Sequence, residues 1–581
     1  MPPAETRFFS TRGLVVAAVF SIALAVIWIA TLPSNLTYGW DESMHVALPA
    51  ERMRIALAEG EFGLAFEALL SCAQYPFVEP VLLACVQSVF GASEQVARAF
   101  GIVEWCATIF GVFVLTRLVI ESLPADRRPR AAFVAPWLAF AFAALSPLAL
   151  GFAGTLFLEI PSACASVWAL VAWIALWREP TRKRALVAGT LVTVALFTKW
   201  NYGILLGAGL FVDLVLRLLQ REGHLERVRV ILPLAAVPVA ASLWWFLIPL
   251  PGGFDVAAEH RSAFASFLTG NQDLARAPAS LRAFFATCLL ALSPRMAVLL
   301  AAGLVTALFG WRNAALRTLI VALLATSVPV WIHPFFLERF FVPGAVTIWI
   351  LAAVGITRWL NGKQPRTSIA LAIIALLSIV PLPDLYPHTG HPHWIPDTVI
   401  VGEKMGVIRG GEYERAYQVG VLEERTRLLG SRALPSGGID RVAATALLDA
   451  VAREIGPTER IGWIGVSSEL SPAAIHLGLL ARGGSRERFL RDAETKIDLD
   501  YFDDPHVDVA GVHAFAEEFD VVFATDPPDL KGRRSREWAN VAREMLLQDG
   551  SWVSRELGRF EIARPLREPL VVTLFACRRK K

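Results

Sequence analysis

Residues 14–48 read LVVAAVFSIALAVIWIATLPSNLTYGWDESMHVAL, in which an apolar run is followed about eight residues later by two adjacent carboxylates. The apolar run 14–33 has about 20 residues, which is enough to cross a hydrocarbon layer of ~30 Å as a helix. It is longer than the apolar core of a typical signal peptide, and it lacks a clear small-residue cleavage site. We therefore expect a membrane anchor here.

The composition extends this expectation to most of the chain. Of 581 residues, 55% are hydrophobic and 18% are charged, and the mean hydropathy is +0.50, whereas about 25% of an average soluble domain is charged. The charges sum to only +3, which is too even a balance for a nucleic-acid partner. Neither GxxxxGK[ST] nor GxGxxG occurs, so a nucleotide-driven pump or a dinucleotide enzyme is not expected.

Eleven apolar segments are predicted to span the membrane. They are approximately 14–33, 96–117, 131–151, 157–176, 184–198, 201–217, 229–249, 284–310, 318–334, 340–357 and 367–384. Alternate connecting segments are rich in arginine, and the others hold few basic residues. Because Lys and Arg are retained on the cytoplasmic side, the N-terminus is predicted to lie inside and the region after the last span outside.

The sequence predicts three parts. Residues 1–384 form a membrane-embedded domain, whose first outer loop 34–95 is structured, with helices at 43–58 and 77–90. Residues 385–440 form a joint that begins rich in Pro and His. Residues 441–581 alternate helix and strand patterns and predict a soluble α/β domain on the outer side. Its predicted helices are 442–454 and 472–481, and its predicted strands are 460–466, 519–524, 559–563 and 569–576.

Five charged residues fall at the predicted outer face. Asp41 and Glu42 can coordinate a cation or act as a base and its orienting partner, although a solvated helix start is the alternative. Glu159 begins the fourth span, where an acid is costly unless it faces protein or water. Lys199 suits a lipid phosphate, with snorkelling to ordinary headgroups as the alternative. Arg339 lies at another outer turn, where a local ion pair is the alternative. Together they predict a site for an anionic lipid and an acceptor hydroxyl.

The order of these segments resembles the polytopic lipid-linked glycosyltransferases of the GT-C fold, particularly the protein O-mannosyltransferase, aminoarabinose-transferase and Rgt-like relatives. The matching elements are WDESMHVAL in the first outer loop, QYPFV at 74–78 before a juxtamembrane helix, Gly91 to Glu94 with Arg98, Glu159, TKW at 198–200, and Arg339 with Phe340. The chain departs from the family pattern at three positions. Tyr75 replaces a cation, Phe77 replaces a second proline, and Glu159 replaces the usual Asp.

The resemblance implies a hexosyl- or pentosyltransferase that moves a sugar from a polyprenyl-phosphate donor to an acceptor glycan, lipid or protein. It also implies a multi-pass protein of a bacterial cytoplasmic (inner) membrane, with the active site and the C-terminal domain facing outside. Asp41, Glu42 and Glu159 are then the catalytic candidates, and Lys199, Arg339 and Tyr75 are the candidates for binding the donor phosphate. Relatives differ in metal dependence, which leaves a divalent ion at Asp41 and Glu159 as an open alternative.

Two other classes of function are weighed against this one. A transporter or flippase of a lipid-linked or anionic substrate also carries ionisable residues near its spans, but transporters usually place them at the bilayer midplane on broken helices within repeated halves. A scaffold that binds envelope polymer through the soluble domain is the other alternative. Eleven spans are more than such anchoring needs.

Overall fold

The structure is a computed structural model that describes most of the membrane domain and the core of the soluble domain. The described ranges are 11–30, 42–70, 76–124, 132–144, 152–220, 232–240, 294–332, 341–359, 441–464, 472–489, 512–526 and 543–580, with a few single positions left out. The predicted joint 385–440, the last predicted span 367–384 and most of the span 229–249 lie outside the described residues. So do three candidate site residues, Asp41, Tyr75 and Arg339.

Between residues 11 and 359 the described regular elements are helices. They are α1 (Thr11–Ala30), a π-helical turn (Ser43–Ala47), α2 (Leu48–Glu59), α3 (Phe62–Leu70), α4 (Val78–Phe90), α5 (Glu94–Ser122), a 3₁₀ turn (Ala132–Val134), α6 (Ala135–Ala144), α7 (Glu159–Arg178), α8 (Arg182–Thr198), α9 (Trp200–Leu219), α10 (Pro294–Leu308), α11 (Ala314–Ile332) and α12 (Val342–Trp359). Two begin at side-chain caps, since Ser93 Oγ accepts the Val96 N–H and Thr181 Oγ1 accepts the Arg184 N–H.

Four of the described helices, α1, α5, α7 and α9, are long and apolar enough to cross a membrane. The predicted helix 77–90 corresponds to α4, which is apolar but has only 13 residues. Within the predicted span 131–151 the structure describes a 3₁₀ turn followed by the ten-residue helix α6, and residues 147–151 lie outside the described residues. The helices α6 and α7 are apolar on all sides because neighbouring helices enclose them.

Small residues allow the helices to approach closely. A Cβ at Gly355 of α12 would lie 1.8 Å from the Gly303 carbonyl oxygen of α10, and a Cβ at Gly303 would lie 2.4 Å from the Ala352 carbonyl oxygen. Small residues at helix contacts are typical of membrane bundles, where van der Waals packing drives association. The α10–α12 contact therefore depends on both glycines.

A buried charge network joins three helices at the arginine-rich end of the bundle. Asp213 Oδ2 accepts hydrogen bonds from Trp173 Nε1 and Arg217 Nε, both at 2.8 Å, and Arg317 Nε lies 4.0 Å from Asp213 Oδ1. Arg217 also donates to Thr318 Oγ1 at 2.8 Å. Two arginines that indicated the cytoplasmic side in the sequence are therefore buried and paired, so they stabilise helix packing as well.

The part of the chain predicted to be a soluble domain, residues 441–581, has the elements of an α/β layer in the structure. Its elements are α13 (Arg441–Glu454), β1 (Ile461–Ile464), α14 (Pro472–Ala481), β2 (Val521–Asp526), β3 (Trp552–Arg564) and β4 (Arg567–Arg579). The strand order is β1-β2-β4-β3, with β1 parallel to β2 and the other pairs antiparallel. Trp463 stacks on Phe523 with ring centroids 4.8 Å apart, and both are buried in the core.

The strands β3 and β4 are longer than the sequence predicted. Each has 13 residues, whereas the predicted strands were 559–563 and 569–576. At the end away from its turn, the hairpin formed by β3 and β4 is bound to the rest of the domain by ion pairs. Arg578 of β4 donates to Glu459 at 2.7 Å and to Glu454 at 3.1 Å, and these hydrogen bonds raise the pKa of Arg578 above its ordinary value. An apolar pattern cannot reveal strand residues that pair through charge.

Candidate functional site

Glu42 is buried in a cluster of charges that links the first outer loop to α5. Its side chain is 0% exposed and accepts hydrogen bonds from both terminal nitrogens of Arg98, at 3.1 and 3.4 Å, and from the Leu156 N–H at 3.0 Å. Arg98 also donates to the Gly154 carbonyl at 3.2 Å and to Glu94 at 3.1 Å. Glu42 is thus a charge-compensated carboxylate that holds three segments together.

The residues directly after Glu42 form a π-helical turn. The Leu48 N–H donates to the Ser43 carbonyl, five residues back. Pro49 follows and has no N–H, so it cannot donate to the His45 carbonyl as an α-helix would require. The proline therefore gives a sequence reason for the irregular turn. Single π-helical turns are rare and are found frequently at functional sites.

Glu159 and Lys199 form a second buried pair. Lys199 Nζ donates to Glu159 Oε1 at 2.8 Å, and the two side chains are 7% and 1% exposed respectively. Glu159 is the first residue of α7, where the positive end of the helix dipole favours a carboxylate. Lys199 lies between α8 and α9 in an extended conformation, with its ammonium 5.4 Å from the centre of the Tyr202 ring.

The two pairs belong to one neighbourhood because a short segment connects them. Leu156, whose N–H binds Glu42, lies three residues before Glu159. The same segment lies against α5, and a Cβ at Gly101 would be only 2.7 Å from the Thr155 carbonyl oxygen. Glu42 is therefore bound to the segment that leads into α7, and Lys199 is bound to the first residue of that helix, Glu159.

A third group at this face was missed in the sequence. Glu79 of α4 and Glu104 of α5 are 2% and 9% exposed, and their carboxyl groups are hydrogen-bonded to each other. Burial raises the pKa of Glu79 to about 7. Phe77, just before α4, contacts Phe197 near the end of α8 with centroids 4.9 Å apart. The sequence did contain one signal for this pair, because Glu104 is an acidic residue inside a predicted span.

The possible metal ligands predicted from the sequence are Asp41 and Glu159, and Asp41 lies outside the described residues. Within the part of the chain that the structure describes, no three His, Cys, Asp or Glu side chains are grouped as metal ligands. Glu159 already binds the ammonium of Lys199 at 2.8 Å.

Comparison with known proteins addresses the fold. No protein-family model matches the sequence, and no curated protein matches it. Among solved structures, ArnT from Cupriavidus metallidurans in the apo state has a TM-score of 0.54 at 19% identity, over 96% of this chain and 97% of that chain. The same protein bound to undecaprenyl phosphate has a TM-score of 0.52 at 17% identity, over 98% of each chain. At these identities the likeness shows the fold alone. It confirms the GT-C fold that the sequence predicted, and the chain is an integral membrane protein with that fold.

Proposed function

We propose that this protein is a glycosyltransferase that moves a sugar from a polyprenyl-phosphate donor to an acceptor hydroxyl at the outer face of the membrane. The observation that carries the proposal is the buried Glu159–Lys199 pair beside Glu42, at the beginning of α7 and the end of α8. A polyprenyl-phosphate donor is further supported by the neighbour ArnT, which binds undecaprenyl phosphate. The acceptor is a glycan, a lipid or a protein.

The proposed reaction is a single displacement. The acceptor oxygen forms a bond to the anomeric carbon while the bond from that carbon to the phosphate oxygen breaks, and the electron pair leaves with the phosphate. Asp41 takes the proton from the acceptor hydroxyl as general base. Glu42 does not move a proton in this scheme, because Arg98 and the Leu156 N–H already bind it. Its role is to hold the backbone next to Asp41.

Lys199 is placed to stabilise the charge that develops on the leaving phosphate. Lys199 is the N-cap residue of α9, where the positive end of the helix dipole also favours an anion. Glu159 orients Lys199 through the bond at 2.8 Å. Arg339 is proposed as the second cation on the phosphate and Tyr75 as a hydrogen-bond donor to it. No step of this scheme requires a metal.

The finer topology also belongs to the proposal. We place the N-terminus inside, eleven spans across a bacterial inner membrane, and the soluble domain 441–581 on the outer side. The support is the uneven distribution of basic residues among the connecting segments. The outer face is then the face that holds Glu42, Glu159 and Lys199.

The test is release of polyprenyl phosphate by the purified protein in nanodiscs, with a panel of polyprenyl-phosphate sugars. Asp41→Asn is expected to lower turnover by about 10²–10⁴-fold with little change in donor affinity. The double variant Lys199→Ala/Glu159→Gln removes one positive and one negative charge, so that no unpaired charge is left buried. It is expected to weaken donor binding by about tenfold or more.

Lys183 supplies the matched control for the lysine. It is exposed near the opposite end of α8, so Lys183→Ala is expected to leave both turnover and donor affinity unchanged. Turnover retained in Asp41→Asn would remove Asp41 from the mechanism. Absence of polyprenyl-phosphate release with every donor would count against the proposed function itself.

A further inference from the structure

Helix α14 of the soluble domain is apolar on two faces. On one face, Ile475 and Leu479 are buried in the core of the soluble domain, and a Cβ at Gly478 would lie 2.6 Å from a methyl carbon of Leu448 on α13. On the other face lie Ala473, Leu477 and Leu480, which are spaced by four and three residues and belong to a different apolar cluster. A helix that is apolar all round is expected to be buried between two layers.

The second layer is the first outer loop of the membrane domain. Ala473 and Leu480 pack with Leu48 and Ile55 of α2. Leu477 belongs to the same contact, and it also packs against the cluster that contains Val46 and Ala47 of the π-helical turn. The soluble domain therefore lies directly on the turn that follows Asp41 and Glu42.

We infer that α14, through Leu477, is the element that holds the π-helical turn and so the backbone at Glu42, with Leu477 as a positioning residue. A π-helical turn contains one residue more than the α-helix to which it can relax. Relaxation would rotate the residues before it by about 100° and move them by about 1.5 Å along the helix. Arg98 holds the Glu42 side chain through hydrogen bonds, and Leu477 packs against the cluster that contains Val46 and Ala47 of the turn. The soluble domain is thus part of the catalytic unit.

The inference rests on the proposed function only where it is tested by turnover. Hydrogen–deuterium exchange therefore serves as a second readout that does not depend on that function. Hydrogen–deuterium exchange of residues 42–59 reports the order of the turn whether or not a donor is known. Leu477→Ala is expected to speed exchange in this segment and to lower kcat by about 10- to 100-fold with little change in the KM for the donor. Leu477→Met keeps the volume and is expected to restore both readouts.

Two variants separate positioning from folding. Val553→Ala, at a site on β3 that is 47% exposed, is expected to change neither readout. Leu479→Ala lies on the other face of α14 and is expected to speed exchange within the soluble domain itself rather than first in 42–59. Unchanged exchange in Leu477→Ala would overturn the inference, and so would faster exchange with an unchanged kcat. If the unmodified protein turns over no donor, the proposed function fails, whereas the exchange comparison still decides whether α14 holds the turn.

Discussion

Arg98→Met should be among the most destabilising single substitutions in the membrane domain. The guanidinium is 1% exposed and donates two hydrogen bonds to Glu42, one to Gly154 and one to Glu94. Methionine fills much of the space but removes both guanidinium donors from the fully buried Glu42 carboxylate, which keeps the hydrogen bond from the Leu156 N–H. Removing one partner of a buried ion pair costs about 3–5 kcal/mol, because an uncompensated charge stays in a medium of low dielectric.

The coupling of the pair is measured with a double-mutant cycle. In Glu42→Gln/Arg98→Met the fully buried carboxylate at position 42 is gone, Glu94 loses Arg98 as it does in the single variant, and the glutamine oxygen can still accept the Leu156 N–H. We expect a coupling energy of about 2–3 kcal/mol, so that the double variant is more stable than Arg98→Met alone. Its turnover should nevertheless stay low, because the loop next to Asp41 has lost its attachment to α5.

The assay is reversible unfolding in mixed detergent micelles, with thermal unfolding midpoints as a second measure. Arg117→Met is the matched control on the same helix, where Arg117 forms a partly exposed ion pair with Glu121 at 2.8 Å. It should cost at most about 1 kcal/mol. If Arg98→Met and Arg117→Met lose the same free energy of unfolding, Glu42 is not buried as the structure shows and the argument is refuted.

Two further predictions concern stability. Burial raises the pKa of Glu79 from 4.5 to about 7, so the native chain holds a proton that the unfolded chain has lost, and the free energy of unfolding falls as the pH rises between these values. Glu79→Gln should flatten this dependence and raise the thermal midpoint near about pH 8; identical pH profiles would contradict the assignment. Gly355→Ala should destabilise by about 1–3 kcal/mol because its Cβ meets the Gly303 carbonyl, whereas Gly207→Ala, with nothing within 4 Å, should change stability by less than about 1 kcal/mol.

The local elements could be predicted because their signals are local. The predicted helix 472–481 has the same bounds as α14, since Pro472 opens it and apolar residues recur through it. The predicted helix 43–58 corresponds to the π-helical turn followed by α2. The irregular turn itself was not predicted, although Pro49 is visible in the sequence. Hydrophobic periodicity reports which residues face the core and carries no information about a change in hydrogen-bond register.

The site could be predicted only as a set of residues on one face. The distribution of basic residues placed Glu42, Glu159 and Lys199 on the same side, but it did not show that Lys199 binds Glu159, 40 positions away. The bond between Arg98 and Glu42, 56 positions apart, was equally hidden. Such pairs depend on helix packing, which one sequence without structural context does not specify. Glu79 was missed because its segment was interpreted as an interfacial helix by length and mean apolarity alone.

The net charge of the described site residues determines how much positive charge the rest of the chain has to supply. Glu42, Glu94 and Glu159 are matched by Arg98 and Lys199, so these five residues sum to one negative charge before Asp41 is added. A sugar phosphodiester carries one negative charge, and the phosphate monoester that leaves carries up to two. Stabilising that increase requires positive charge aimed at the leaving oxygen, and Lys199 is already shared with Glu159. Under the proposed function, a second cation is therefore expected at the site during transfer. Arg339, at the outer turn before α12, is the candidate that the sequence supplies, and its planar guanidinium can bind a phosphate through two hydrogen bonds.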